Sequence, residues 1–231
     1  MRRAGALIRR GQREYASKGA EGLVTATDRR AEELLRRELP TCSFWGEEGG
    51  RWGQDEWCWV VDPLDGTTNF VHRFPQVAVS VALARGDKVV LGVVYDVFRR
   101  ELFRARAGEG AFLNELPITV SEVESVSEAL LATGFGGSSA DEEYDRFRRL
   151  DALCHGVRRN GCCSLDLCWV ACGRLEGYWE WDLQPWDVAA GGLIVQEAGG
   201  LFTRLDGAPA RLTRGGFMAS NGRLHEALKP G

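Results

Sequence analysis

Long apolar runs are missing from this chain: no stretch of its 231 residues is long and apolar enough to cross a bilayer, and no membrane partner is expected. A basic excess is missing too. Lys and Arg number 29 against 33 Asp and Glu, a formal charge of −4, so nothing in the balance argues for nucleic acid. An anionic small molecule would have to be attracted locally, through bound cations. Histidine is scarce, and His72, His155 and His225 are isolated from one another, so none is singled out as a base. The seven cysteines are an odd number for a disulfide framework, and they form no pair of C-x-x-C motifs that would complete a zinc site. Five of them, Cys154, Cys162, Cys163, Cys168 and Cys172, fall in one short segment and read as reduced thiols packing as small hydrophobes. The first ten residues break their apolar positions with arginine, unlike the core of a signal peptide, so a cytoplasmic location is expected.

What is present is 44% hydrophobic and 27% charged, enough for a sizeable core in one large domain or two intimate halves. No repeat, low-complexity tract or linker interrupts it. A short helix is expected up to Tyr15, and a second from an N-cap at Thr27-Asp28 through Leu39, with Ala31, Leu34 and Leu35 on its apolar stripe and Pro40 as its stop. Residues 77–84 and 89–95 read as a hairpin around the turn Arg85-Gly86-Asp87-Lys88, with further strands at 101–105, 110–113 and 129–133. The Gly/Ser-rich loop at 134–140 is the best internal boundary. It divides a mostly antiparallel half, 1–136, from a half, 137–231, that alternates helices (141–154, 164–172, 187–198, 223–228) with strands (157–159, 177–181, 201–203, 216–220). The fold class is α+β or layered α/β.

The most informative segment is Trp59-Val60-Val61-Asp62-Pro63-Leu64-Asp65-Gly66-Thr67-Thr68-Asn69-Phe70, where an apolar run meets two carboxylates and a Gly-Thr turn. Pro63 removes an N–H and Gly66 permits a sharp turn, so carboxylates and bare amides can face one point. Alone, the Asp-Pro and Asp-Gly dipeptides describe no more than a strand followed by an Asx turn. Two other acids also stand at the ends of apolar elements: Glu47 after Ser43-Phe44-Trp45-Gly46, and Asp187 after Pro185-Trp186, where it could equally be a helix N-cap. If the four converge, each pair at ~4 Å repels by about 4 kcal/mol at an effective dielectric near 20. Such a cluster needs cations, and all-oxygen ligands favour Mg²⁺ or Mn²⁺ over Zn²⁺.

Gly46-Glu47-Glu48, Asp62-Pro63-Leu64-Asp65-Gly66-Thr67-Thr68-Asn69-Phe70, and Trp186-Asp187-Val188-Ala189-Ala190-Gly191 with Glu197-Ala198-Gly199-Gly200 resemble, in kind and order, the inositol monophosphatase family. The resemblance extends to Val24-Thr25-Ala26-Thr27-Asp28, Gly92-Val93-Val94-Tyr95 and Gly108-Glu109-Gly110-Ala111-Phe112, and so covers nearly the whole chain. It implies an αβαβα sandwich, like that of fructose-1,6-bisphosphatase, acting as a Mg²⁺-dependent, lithium-sensitive phosphomonoesterase and usually a homodimer. Position by position, it implies that Glu47, Asp62, Asp65, Asp187 and the Leu64 carbonyl hold up to three Mg²⁺ ions, and that Asp28 and Thr67 orient and deprotonate the attacking water. The Gly66 and Thr67 amides would contact phosphate. Glu180 matches the position that bonds a sugar or inositol hydroxyl, and Gly161-Cys162-Cys163-Ser164 occupies the family's small-residue substrate loop, where the vicinal cysteines are a departure that could confer oxidant sensitivity. Lys18 lies near the family's lysine on the N-terminal loop, at a spacing that differs by a residue.

Inositol 1-phosphate is the expected substrate, with fructose 1,6-bisphosphate, other sugar phosphates and 3′-phosphonucleotides as alternatives. A haloacid-dehalogenase-like reading needs its two aspartates two apart, whereas Asp62 and Asp65 are three apart. An EF-hand reading, a cation-binding module without catalysis, needs Glu at the twelfth loop position, where Arg73 stands.

Overall fold

Alternation along the strands decides the architecture, because each of two sheets has both faces covered. The structure is a computed structural model and describes residues 1–19, 22–135 and 140–229. In chain order it contains α1 (Arg2–Arg9), β1 (Tyr15–Ser17), β2 (Leu23–Thr25), α2 (Ala26–Glu38), β3 (Ser43–Gly46), β4 (Gly50–Trp52), β5 (Trp57–Asp65), α3 (Thr67–Val71), β6 (Ala78–Arg85), β7 (Lys88–Asp96), β8 (Leu102–Arg106), β9 (Ala111–Leu113) and β10 (Leu116–Ile118). Then follow β11 (Leu130–Thr133), α4 (Ala140–Asp151), β12 (Gly156–Arg158), α5 (Cys163–Ala171), β13 (Gly177–Leu183), α6 (Pro185–Glu197), β14 (Leu201–Arg204), β15 (Gly215–Ser220) and α7 (His225–Leu228).

The first sheet has the order β10-β9-β8-β7-β6-β5-β3-β4 and is antiparallel except where β3 lies parallel to β5. One of its faces carries Trp59, Val61, Val79, Val81 and Tyr95 against Ala4 and Ile8 of α1 and Ala31 and Leu35 of α2. The opposite face turns Val60, Ala78, Ala82 and Val94 to Leu165 and Leu167 of α5 and Ala190 and Ile194 of α6. The second sheet, β12-β11-β13-β15-β14, offers Tyr178, Phe217 and Ala219 to the same two helices, and Leu131, Trp179 and Met218 to Leu150 of α4 and Leu228 of α7. The layers are therefore α, β, α, β, α, as the family resemblance implies.

Helices α5 and α6 are mostly apolar and mostly buried, as helices lying between two sheets must be. Their small residues permit close approach. A Cβ on Gly92 of β7 would lie 2.6 Å from the Ala190 carbonyl oxygen, and one on Gly191 would lie 2.7 Å from Leu167.

Three expectations need correction. The first helix ends at Arg9, and Tyr15 begins a strand: Gly11, where a Cβ would lie 2.4 Å from the Thr27 side chain, lets the chain pass close over α2. The N-cap of α2 is Thr25 rather than Thr27-Asp28; Asp28 is the third helical residue and closes a capping box with Thr25. Helix α6 begins at Pro185, so Asp187 is not its N-cap but the residue whose carboxylate reaches back to the Gln184 amide. The boundary loop at 134–140 falls mostly on residues 136–139, outside the described residues.

Candidate active site

Residues three apart on a regular strand face opposite sides, so Asp62 and Asp65 could not share a site without a break in the alternation. Strand β5 supplies one. Asp62 pairs with Ser80 and Asp65 with Ala78, three residues against two, a bulge that contains Pro63. Ser80 and Ala78 share a face, and so therefore do the two carboxylates: the face turned to α5 and α6. The strand runs on through both carboxylates to Asp65. Gly66 follows at φ +90°, and a Cβ there would sit 2.6 Å from the Gln76 carbonyl oxygen, so the turn into α3 requires glycine. The first amides of α3, beginning with Thr67, have no intrahelical acceptor.

The other acids are delivered by neighbouring elements. Strand β3 places Gly46 beside Val61, and the Glu47 amide donates to the Val61 carbonyl at 3.1 Å, which brings Glu47 alongside Asp62. Asp187 sits in the first turn of α6, where its carboxylate accepts from the Gln184 amide at 2.7 Å. Trp45 and Trp186, which precede these two acidic segments, meet edge to face with ring centroids 6.0 Å apart. Asp65 accepts from the Ser164 amide and hydroxyl at 2.7 and 2.6 Å, tying β5 to the start of α5.

Asp28 is 1% exposed. One of its oxygens accepts from the Thr25 amide at 2.9 Å and from the Thr25 hydroxyl; the other lies 3.0 Å from the Thr67 hydroxyl, which is also 3.1 Å from the Leu64 carbonyl oxygen. Thr67 thus links the buried Asp28 to the carboxylate-bearing bulge.

The electrostatics are those of crowded acids. Burial, then Glu47, Asp65 and Asp187, push the Asp62 carboxyl well up. Burial and Asp65 do the same to Asp187, while burial raises Asp65 against the opposing Ser164 bonds. Burial also raises Glu47, partly offset by Lys18, whose ammonium stands 3.0 Å from Glu47 and 2.5 Å from Glu48. Burial works against that ammonium, but Glu47 and Glu48 outweigh it and push its pKa up.

No group of three or more His, Cys, Asp or Glu side chains among the described residues is arranged to hold a metal ion as it stands. Each acid has a protein partner instead: Glu47 bonds to Lys18, Asp65 to Ser164 and Asp187 to the Gln184 amide. The donor set nevertheless fits a hard divalent ion. It consists of oxygen, with Asp62 and Leu64 buried and Glu47, Asp65 and Asp187 half-buried, and its members destabilise one another's charge in the way bound cations relieve.

Beside this cluster lies a second group. Burial pushes Glu180 up to about 7, against a hydrogen bond from the Tyr178 hydroxyl. Asn69 holds the adjoining turn, with its amide nitrogen 2.8 and 3.1 Å from the Asn160 and Gly161 carbonyl oxygens. Cys162 and Cys163 are buried, their sulfurs 3.6 Å from the Asp65 and Asp187 carbonyl oxygens, and burial pushes both thiols well up. Thiolate is correspondingly scarce, which argues against the oxidant-reactive pair. Sequence reasoning missed Asp166, a further buried acid, on α5 and held by Asn160 at 2.6 Å, and the hydrogen bond from Tyr178 to Glu180. Neither stands in a recognisable motif. The Thr25 cap did carry a signal, a Thr three residues before an acid.

Comparison with known proteins agrees with this arrangement. The model of the inositol monophosphatase family matches residues 2–230. An inositol-1-monophosphatase of Synechocystis sp. is 46% identical over 225 residues, covering 93% of this chain and 78% of the relative. The solved inositol monophosphatase of Anabaena (Nostoc) sp. PCC 7120 superimposes with a TM-score of 0.85 at 41% identity, over 98% of this chain and 89% of that one. The extragenic suppressor protein suhB of Bartonella henselae gives a TM-score of 0.91 at 36% identity, over 98% and 92%.

Proposed function

The chain belongs to the inositol monophosphatase family, and from that premise we propose that it hydrolyses inositol 1-phosphate to inositol and inorganic phosphate, using bound Mg²⁺. The observation that carries the reading is the bulge in β5, which turns Asp62 and Asp65 to one face, toward Glu47 and Asp187 and next to the Thr67–Asp28 pair.

Glu47, Asp62, Asp65, Asp187 and the Leu64 carbonyl would hold up to three ions, with Mn²⁺ as a possible substitute. Bound there, Mg²⁺ supplies positive charge that acidifies a water, neutralises phosphate oxygens and favours the leaving alkoxide. The rest of the chemistry belongs to the protein. The Thr67 hydroxyl donates to Asp28 and leaves its own oxygen to accept a proton of the attacking water, so the water's lone pair points toward phosphorus. As the water's proton passes to the Thr67 oxygen, the Thr67 hydroxyl proton passes along the existing hydrogen bond to Asp28 Oδ1. The Gly66 and Thr67 amides present N–H groups to the phosphate oxygens at the turn into α3. Glu180 accepts from a ring hydroxyl of the alcohol and so favours polyol phosphates.

Lithium sensitivity, homodimerisation, a cytoplasmic location and operation of residues 1–231 as one catalytic unit are part of the same proposal. The test is phosphate release from inositol 1-phosphate and fructose 1,6-bisphosphate side by side, with Mg²⁺, with EDTA, and with Mg²⁺ plus Li⁺. Metal-dependent, lithium-inhibited release that favours inositol 1-phosphate is expected; release that persists in EDTA would overturn the metal-assisted reading.

A further inference from the structure

Tyr178 and Glu180 stand two apart on β13, hence on one face of the second sheet, the face turned to α5. The Tyr178 hydroxyl donates to Glu180 Oε2, and the phenol is 1% exposed. The Cys163 thiol, at the first residue of α5, lies against the same phenol oxygen. On the other side the carboxyl group abuts Gly134, at the end of β11, where a Cβ would lie 2.1 Å from Glu180 Oε1 and Oε2. Glu180 is thus held from two directions: by a buried donor and by a backbone position stripped of its side chain. The hydrolytic steps proposed above make no use of the phenol.

We propose that Tyr178 is a positioning residue for polyol recognition: by engaging Oε2 it fixes the Glu180 carboxylate so that Oε1 is left to accept from a hydroxyl of the substrate alcohol. The inference rests on the reading that Glu180 meets that hydroxyl.

The physical case has two parts. A glutamate free to rotate loses side-chain freedom when it binds, and a carboxylate already fixed by a buried donor has lost it beforehand. A carboxylate buried without a donor is also driven toward its neutral form, which presents an O–H where an acceptor is needed. Removing the phenol hydroxyl therefore weakens acceptance of a substrate hydroxyl without touching the residues that face phosphorus. Gly134 gives an independent handle, because a methyl group there must displace the same carboxyl.

The experiment compares kcat/KM for inositol 1-phosphate with that for 4-nitrophenyl phosphate, which has no hydroxyl to offer, in Mg²⁺-loaded parent, Tyr178→Phe, Gly134→Ala and Glu180→Gln. In Tyr178→Phe the ratio of the two is expected to fall about tenfold, the scale of one hydrogen bond to a charged group, and to fall through KM rather than kcat. Gly134→Ala is expected to lower the ratio in the same way, and it decides the matter if Tyr178→Phe does not fold. A ratio that falls in Glu180→Gln but stays at the parent value in both other variants overturns the positioning role while leaving the Glu180 contact standing. A ratio unchanged in Glu180→Gln removes that contact and the proposal with it. Equal losses on both substrates in Tyr178→Phe would make the phenol a packing residue only.

Discussion

The Thr67 hydroxyl stands 3.0 Å from Asp28 Oδ1, across 39 positions of sequence. Asp28 is anchored on its other oxygen by Thr25, so the pair is built from the first turn of α2 and the first turn of α3. Both ends of the contact are fixed by backbone.

Asp28→Asn is expected to lower kcat by about 10²- to 10⁴-fold with little change in KM, the usual scale for loss of a general base. The same change weakens the Thr25 box and is expected to cost about 1 kcal/mol of stability. Thr67→Ala should reproduce the kinetic loss without that cost, while Thr67→Ser should retain activity. Steady-state kinetics and urea unfolding check all three; an active Asp28→Asn enzyme would remove its role.

Asp65→Asn and Asp187→Asn are expected to abolish turnover while leaving the fold intact. Each removes a buried negative charge that raises the pKa of a neighbouring carboxyl, so the metal-free variants should melt no lower than the parent. They should also lose most of the rise in Tm that Mg²⁺ produces. Calorimetry with and without Mg²⁺ reads both effects, and full Mg²⁺ stabilisation in either variant would contradict its ligand role.

The pH dependence of the metal-free protein has a definite sign. Asp62 and Asp187 are raised well above the ordinary 3.8, and Glu180 from 4.5 to about 7. A group raised on folding binds protons more tightly in the folded chain, so its contribution is complete below the unfolded pKa and is lost as pH climbs through the folded one. In EDTA, Tm is therefore expected to fall between pH 5 and pH 8 (roughly the span from the unfolded values to just past Glu180), and Mg²⁺ should restore more at pH 8 than at pH 5. A metal-free Tm that rises over that window would count against the repulsive cluster.

Gly66→Ala places a Cβ at φ +90° and 2.6 Å from the Gln76 carbonyl oxygen. The expected cost is about 1–3 kcal/mol, the range for a residue held in a sparsely populated backbone region. Activity should fall further than stability, since the same turn aims the Thr67 hydroxyl. Chemical denaturation alongside kinetics separates the two.

Much of this was legible before the structure. Glu47 and Asp187 stand at the ends of apolar elements, and that placement is what joins them to Asp62 and Asp65. The hairpin of β6 and β7 and the order of helices and strands in the second half follow from periodicity and turn residues. The bulge did not: Asp62-Pro63-Leu64-Asp65 reads as a strand end followed by a turn, and only the pairing with Ser80 and Ala78 reveals the extra residue that sets the parity. Tyr178 and Asp166 were hidden for another reason. Each lies inside an apolar run, where an aromatic or a single acid has no pattern of its own, and its hydrogen-bond partner, Glu180 for Tyr178 and Asn160 for Asp166, is apparent only in the folded chain.

Helix α6 lies between the two sheets and carries Asp187 toward β5 and β3, while Ser164 at the head of α5 grips Asp65 from the same layer. The acidic cluster therefore straddles the seam between chain segments that fold around different sheets. A divalent ion held there would pin the middle helical layer to the first sheet, resisting slippage of α6 over β5 and β3. In such a protein, ion affinity and resistance to that slippage would be one free energy read in two ways. Amide exchange along α6 would then be slowed by the same titration that switches on turnover.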